Sequence, residues 1–356
     1  MKRFIFKLIL LVMILSAIPL CIYFVDPSHV YDGGKYEKSI VDILISGKNA
    51  TNSDANMNER FLKRFLIQRY SKNVDHLILG PSRTMLISEK VLQDGNVLNL
   101  SLSGASLEDM ISMYYITKLS GIKVKNMIIG LDPQLFNENN ADTRWKDNAA
   151  YYNAFIHNES KVKEETSMAN MMRLKNLFSM SYFQSSVMVL THKIEDTAKG
   201  NQIVLTATNN YDNPGKTIHD DGSLSYDEKF RNPEQKDVNI AASKWTYQQF
   251  DSYDNLSDKY KKELQIFIDD VKKDGVQIRV FCAPYHPIVY HKMMSQKHYE
   301  YARFAMDYIH KFSVLNNLEI IGSYNPDNCG CNETCFYDGV HLNDKGIGII
   351  FKKRSF

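Results

Sequence analysis

Short apolar runs, each about one strand long, alternate along the chain with stretches whose apolar positions recur at helical spacing. The runs are "HLILG" (76–80), "NVLNLSL" (96–102), "VKNMIIGLD" (124–132), "VQIRVFCAP" (276–284) and "LEIIGSY" (318–324). Between them the spacing predicts helices over 83–93, 107–119, 257–273 and 296–315, and a last helix starting near Asn343. Met110, Met113, Tyr114 and Ile116 mark the second of these. Strands alternating with helices imply a parallel sheet covered on both faces, with right-handed crossovers. The expected fold class is a three-layer α/β/α domain.

The alternation is interrupted once. Residues 136–255 are rich in Asn, Asp, Ser, Lys and Tyr, with helical spacing only around 165–180 and 184–196. A segment this long inside a compact domain is usually functional or disordered. It reads as an inserted cap over the C-terminal edge of the sheet, where open α/β sheets bind ligands. Within it, "HDDGSLSYDE" (219–228) predicts a solvated hairpin, or an acidic turn that touches substrate.

The N-terminus has a different pattern. "MKRFIFK" carries three cations, and Leu8 to Val25 is an uncharged run broken only by Pro19. Such a run is just long enough to cross a bilayer as a helix. The preceding charges place the N-terminus in the cytoplasm and the body outside. The reading is a single-pass cell-membrane anchor at 1–25; a cleaved signal peptide is the alternative. Residues 26–74 are polar and mixed, and read as an extracytoplasmic stalk with a linking helix. Residues 75–356 form the α/β domain, with its insertion at about 136–255.

Composition narrows the function. The 44% apolar content can build a sizeable core, and 43 Lys plus Arg nearly balance 41 Asp plus Glu. No basic stripe is present, so no nucleic-acid partner is expected.

The candidate chemistry lies at opposite ends of the domain. Ser82 follows the first strand in "GPSRT", and Asp338 and His341 follow the last in "DGVH". Parallel strands end on one edge, so these pieces can converge. A carboxylate that orients an imidazole, and an imidazole that deprotonates a serine, activate an otherwise poor nucleophile. The structural alternative is that Ser82 caps a helix and that Asp338-Gly339 is an ordinary turn.

These blocks resemble the SGNH (GDSL-like) hydrolase superfamily. "GPSRT" stands at that family's Gly-Asp-Ser block, "NLSLSGAS" at its second, "IIGLDP" at its third and "DGVH" at its Asp-x-x-His block. The resemblance implies a flavodoxin-like sheet, Ser82 as nucleophile, His341 as base and Asp338 as its orienter. It implies an oxyanion hole from the backbone N–H groups of Ser82 and Gly104. Two blocks depart from the pattern: proline stands in place of aspartate at 81, and Asp132 lies near the family's oxyanion asparagine. The anchor and "PYHP" (284–287) look more like membrane-anchored envelope proteins similar to alginate O-acetyltransferase and to the D-alanine transfer protein of teichoic acids. That branch implies an envelope glycan or polyol polymer as acceptor and a multi-pass membrane acyltransferase as partner. No cofactor or metal is implied.

Other residues are candidates for substrate contact. Arg83, beside the nucleophile, can hold an anionic group or salt-bridge to the insert. Asp132 either ends a strand or has a direct role. His286, on the same edge, lines the acceptor pocket or packs in the core. Cys329, Cys331 and Cys335, with Cys282 on a neighbouring strand, are expected to form a disulfide outside the membrane rather than a zinc site. Three function classes follow: a serine O-acyltransferase or esterase, a non-catalytic binding protein with the Tyr-rich insert as stacking surface, and a disulfide-linked redox or metal protein.

Overall fold

The computed structural model describes residues 2–26, 31, 33–51, 57–140, 142–159, 161–162, 174–175, 177–199, 205–246 and 248–352, the side chains of 2, 8, 10–12, 14–15 and 192–199 excepted. Its strands are β1 (Asn49–Thr51), β2 (Val74–Leu79), β3 (Val97–Asn99), β4 (Val124–Gly130), β5 (Thr206–Thr208), β6 (Thr217–Ile218), β7 (Leu224–Ser225), β8 (Gln277–Cys282) and β9 (Glu319–Gly322).

The main sheet has the order β3-β2-β4-β8-β9, with every neighbouring pair parallel. Counting only its strands, this is the order 2-1-3-4-5 of flavodoxin-like folds. Winding reverses between β2 and β4, and the carboxyl ends of the strands at such a switch point are where open α/β sheets bind ligands.

Side chains alternate across this sheet with period two. Leu77, Leu79, Met127, Ile129 and Val280 join one core with Ile111, Leu264, Phe267 and Ile309 from the helices Leu107–Leu119, Asp258–Lys273 and Glu300–Leu315. Ile78, Ile128, Phe281 and Ile321 face the other way, onto Ile347, Ile350 and Phe351 of the C-terminal helix Asp344–Phe351. Both faces are covered, as the apolar runs require.

The expected helix over 83–93 does not form. A 3-10 turn, Ser82–Thr84, and a short helix, Glu89–Leu92, stand in its place. Between them Ser88 is extended, and its hydroxyl accepts from Tyr211 of the insert at 2.7 Å.

The described residues of 26–74 pack on the α/β domain rather than extending as a stalk. The helices Lys35–Ile45 and Glu59–Arg69 pack Ile40, Val41, Leu62, Leu66 and Ile67 into the main core. Arg60 makes a buried two-pronged ion pair with Asp109, at 2.8 and 2.6 Å. Buried Lys63 donates to the carbonyls of Asn99, at 2.8 Å, and Gly222. β1 sits inside a second, antiparallel sheet, β5-β1-β6-β7, whose other strands belong to the insert.

The 219–228 hairpin forms, but it is not solvated. His219, Asp221 and Ser223 are buried, and the Asp221 carbonyl accepts from the backbone N–H of Asn99 at 2.8 Å. The helical stretch expected at 184–196 lies within Met180–Lys199. Most of the one expected at 165–180 lies outside the described residues.

A helix forms over Lys2–Val25 and packs on Met180–Lys199. Among the described residues no helix is long and apolar enough to cross a membrane, so the expected span is not supported on that count.

Candidate active site

β2 ends at Leu79 and the chain turns sharply at Gly80, whose φ of +154° favours glycine. A Cβ there would lie 2.8 Å from Thr84 Oγ1 and 3.1 Å from the Gly130 backbone. The Pro81 carbonyl accepts from the Thr84 N–H at 3.0 Å and from its hydroxyl at 2.7 Å. These contacts close the 3-10 turn that begins at Ser82 and present that residue at the carboxyl end of β2. The Ser82 hydroxyl does not cap a helix: its partner is His341 Nε2, 2.8 Å away.

His341 and Asp338 sit on a tight clasp of chain. Phe336 and Leu342 form an antiparallel bridge, and the Tyr337 N–H donates to the His341 carbonyl at 2.9 Å. Asn343 N–H donates to the Cys335 carbonyl at 2.9 Å. Inside the clasp, Asp338 Oδ1 accepts from the N–H groups of Val340 and His341, both at 2.8 Å. Its Oδ2 lies 2.8 Å from His341 Nδ1.

Burial alone would raise the Asp338 carboxyl pKa. The hydrogen bond and charge of His341 and the two backbone donors bring it below the ordinary carboxylate value. An ionised Asp338 accepts from Nδ1–H, which leaves the Nε2 lone pair facing the Ser82 hydroxyl. That tautomer is the one a general base needs.

Gly104 follows β3, with φ of +57°. Neither its N–H nor that of Ser82 has an acceptor among the described residues. Arg144 covers Gly104 from the insert: a Cβ there would lie 2.2 Å from Arg144 Nη2. Glu59 accepts from Ser103 N–H at 2.6 Å and from its hydroxyl at 2.9 Å. The Tyr226 ring stands edge-on to the His341 ring at 6.0 Å. Ser103 lies within a block singled out in the sequence. Tyr226 lies in the 219–228 stretch, read from the sequence as a solvated hairpin or a turn that touches substrate; Glu59 and Arg144 come from 26–74 and from the insert, where no local pattern marked them.

Three expected substrate-contact residues are structural instead. Arg83 is buried, and its Nη1 donates to Asp132 Oδ1 at 2.9 Å. Its Nη2 donates to the carbonyls of Ala283 and Pro284 at 2.5 and 2.6 Å, and its Nε to Val340 O at 3.1 Å. The guanidinium also lies 4.0 Å from the centre of the Tyr285 ring. Arg83 therefore bolts the nucleophile turn to the ends of β4 and β8 and to the catalytic clasp. Asp132 is buried as its counter-ion, held also by Gln134 Nε2 at 3.1 Å. His286 is fully buried and caps the helix Pro287–Ser295, its Nδ1 accepting from Ile288 N–H at 3.2 Å. Its edge meets the Phe336 ring, and burial lowers its pKa.

The expected disulfide is not formed: Cys282, Cys329, Cys331 and Cys335 are free thiols. Burial pushes the Cys282 and Cys331 thiols up to about 12, which keeps them protonated. Cys329 donates to the Ser323 carbonyl at 3.4 Å. Among the described residues no group of three or more His, Cys, Asp or Glu side chains is placed to hold a metal ion.

Fold and site together define an α/β protein with a five-stranded parallel sheet and a formed Ser82-His341-Asp338 relay at the point where the winding of that sheet reverses. In comparisons with known proteins, the chain matches no protein-family model and no curated protein.

Proposed function

We propose that this chain is an extracytoplasmic serine acyl-transfer enzyme of the SGNH type, an O-acyltransferase or esterase. The observation that carries the reading is the unbroken relay at 2.8 Å from Ser82 to His341 and 2.8 Å from His341 to Asp338.

In this reading Ser82 Oγ attacks the carbonyl carbon of an ester while His341 Nε2 takes its proton. The developing oxyanion accepts from the N–H groups of Ser82 and Gly104. The tetrahedral intermediate collapses, the leaving alkoxide takes the proton from His341, and the acyl group stays on Ser82. A second hydroxyl then approaches, is deprotonated by His341, and carries the acyl group away. Water as that acceptor gives hydrolysis; a glycan or polyol hydroxyl gives transfer. Glu59, Ser103 and Tyr226 supply polar partners beside the relay for a hydroxylated acceptor.

The envelope setting rests on the N-terminal helix. It exposes Phe4, Phe6, Ile9, Met13 and Leu20, and the neighbouring helix exposes Met180 and Met188. Soluble monomers rarely leave so much apolar surface uncovered, which supports a membrane-anchored site served by a multi-pass acyl donor. An envelope polymer is the acceptor in this setting.

The test is turnover of an activated acetyl ester, with and without a polyol acceptor. Acetylated polyol formed by wild type and lost in Ser82→Ala supports transfer; released acetate alone supports an esterase. A non-catalytic binding role on the same fold is favoured by one observation, the loss of the third oxyanion donor to the Arg83–Asp132 pair. Equal inertness of wild type and Ser82→Ala would select it.

A further inference from the structure

The oxyanion side of the site lacks a side-chain donor at the end of β4. Asp132 is a carboxylate that accepts from Arg83 and Gln134, so its side chain offers no N–H to a developing negative charge. A cation nevertheless stands beside Gly104. Arg144 comes from the insert, on the 3-10 turn Arg144–Asn148, and its Nη2 lies within 3.4 Å of the Gly104 carbonyl. Its guanidinium occupies the space a side chain at 104 would fill, with Nη2 and Nη1 at 2.2 and 3.6 Å from that position.

The guanidinium is held from one side. Asp142 accepts from Nε with both carboxylate oxygens, each at 3.0 Å, and from Nη2 at 2.5 Å. Nη1 donates to no acceptor among the described residues. Asp142 in turn accepts from the Arg144 N–H at 2.9 Å, so two residues two apart make a closed brace. A fixed guanidinium with a free donor edge is a preorganised electrostatic group. Its side chain is half-exposed, so the guanidinium sits beside Gly104 at the surface rather than in the core.

We propose that Arg144 is a catalytic residue: it donates from Nη1 to the oxyanion of the tetrahedral intermediate, completing the hole begun by the N–H groups of Ser82 and Gly104. No covalent bond to Arg144 forms; the charge that grows on the carbonyl oxygen is shared among three donors and returns to the carbonyl when the intermediate collapses. The proposal rests on the acyl-transfer reading of the relay. It also gives Gly104 a second use beside its left-handed φ of +57°: a Cβ at 104 would lie 2.2 Å from Nη2 and displace the guanidinium.

The experiment compares wild type, Arg144→Gln, Arg144→Lys and Ser82→Ala in turnover of an activated acetyl ester, with Tm measured alongside. Arg144→Gln is expected to lower kcat about 10- to 100-fold, somewhat below the loss of one full oxyanion donor, with KM within about twofold and Tm unchanged. Arg144→Lys should recover part of kcat, and added guanidinium should raise the rate of Arg144→Gln but not of wild type. Unchanged kcat in Arg144→Gln would overturn the proposal while leaving the relay intact. A raised KM with unchanged kcat would also overturn it, assigning Arg144 to ground-state binding of an anionic substrate group. Loss of Ser82-dependent turnover in wild type itself would sink the acyl-transfer reading instead, a distinct result.

Discussion

At the residue scale, two side chains, Arg83 and Asp132, take a structural role in place of substrate contact, through partners distant in the chain. Arg83 stood beside a nucleophile and read as a substrate ligand. Its four acceptors lie on Asp132, Ala283, Pro284 and Val340, none of them near it in sequence. Asp132 read as a displaced oxyanion residue for the same reason. Replacing Arg83 with methionine leaves the Asp132 carboxylate buried without its cation, a loss of about 3–5 kcal/mol. It also frees the Val340 carbonyl next to His341. Chemical denaturation should show the stability loss, and ester turnover should fall beyond what the folded fraction explains. The relay itself was legible because Ser82 and Asp338-x-x-His341 are short, chemically specific patterns at the two ends of an alternating α/β chain.

At the scale of elements, the five main-sheet strands were legible because their central positions are covered on both faces and carry short runs of apolar residues, the polar ones falling mostly at the strand ends. The two long helices that flank β8 were legible from their amphipathic spacing, and the observed Asp258–Lys273 and Glu300–Leu315 keep within a few residues of it. The segment after Ser82 was not. Leu86 and Ile87 look helical, yet both are buried in a loop, and Tyr211 pins Ser88 in an extended conformation. A contact spanning more than a hundred residues overrides local propensity there. Gly104 is a second case where tertiary contact rules. Gly104→Ala must adopt φ near +57° and displace Arg144. It should cost about 1–2 kcal/mol in backbone strain and lower ester turnover more than Tm alone would suggest. Normal turnover in that variant would remove Gly104 from the oxyanion hole.

At the scale of the whole molecule, the polar appearance of 26–74 concealed a structural segment. Arg60 and Lys63 look like solvent-facing charges, but they are buried against Asp109, Asn99 and Gly222. A chain that begins at residue 75 should therefore fail to fold, judged by loss of cooperative unfolding in circular dichroism. A soluble, cooperative fragment would restore the stalk reading. Burial also sets the pH response. Desolvation lowers the pKa of His76 and His286, and brings His219 down to about 4. The unfolded chain binds those protons near the ordinary value of 6.5, so stability is full above it and falls as pH drops from 6.5 towards 4. Asp221 opposes this trend, because burial raises its carboxyl to about 6 and its protonated form favours the folded state. Burial also raises the carboxyls of Asp109 and Glu263, which act in the same sense as Asp221, so the loss on acidification is the part of the slope that the histidines carry. His219→Gln should flatten it by up to about 2–3 kcal/mol over that range, measured by urea titration at stepped pH. An unchanged slope would show that His219 is solvated in the folded protein.

The central claim is that Ser82 is a nucleophile activated by a partner 259 positions away in the chain. Its most direct measurement is covalent capture by a fluorophosphonate, with the modified peptide mapped by mass spectrometry. The account predicts one adduct, on Ser82, formed by wild type and strongly slowed in His341→Ala. An adduct on another residue, or none at all, would contradict it.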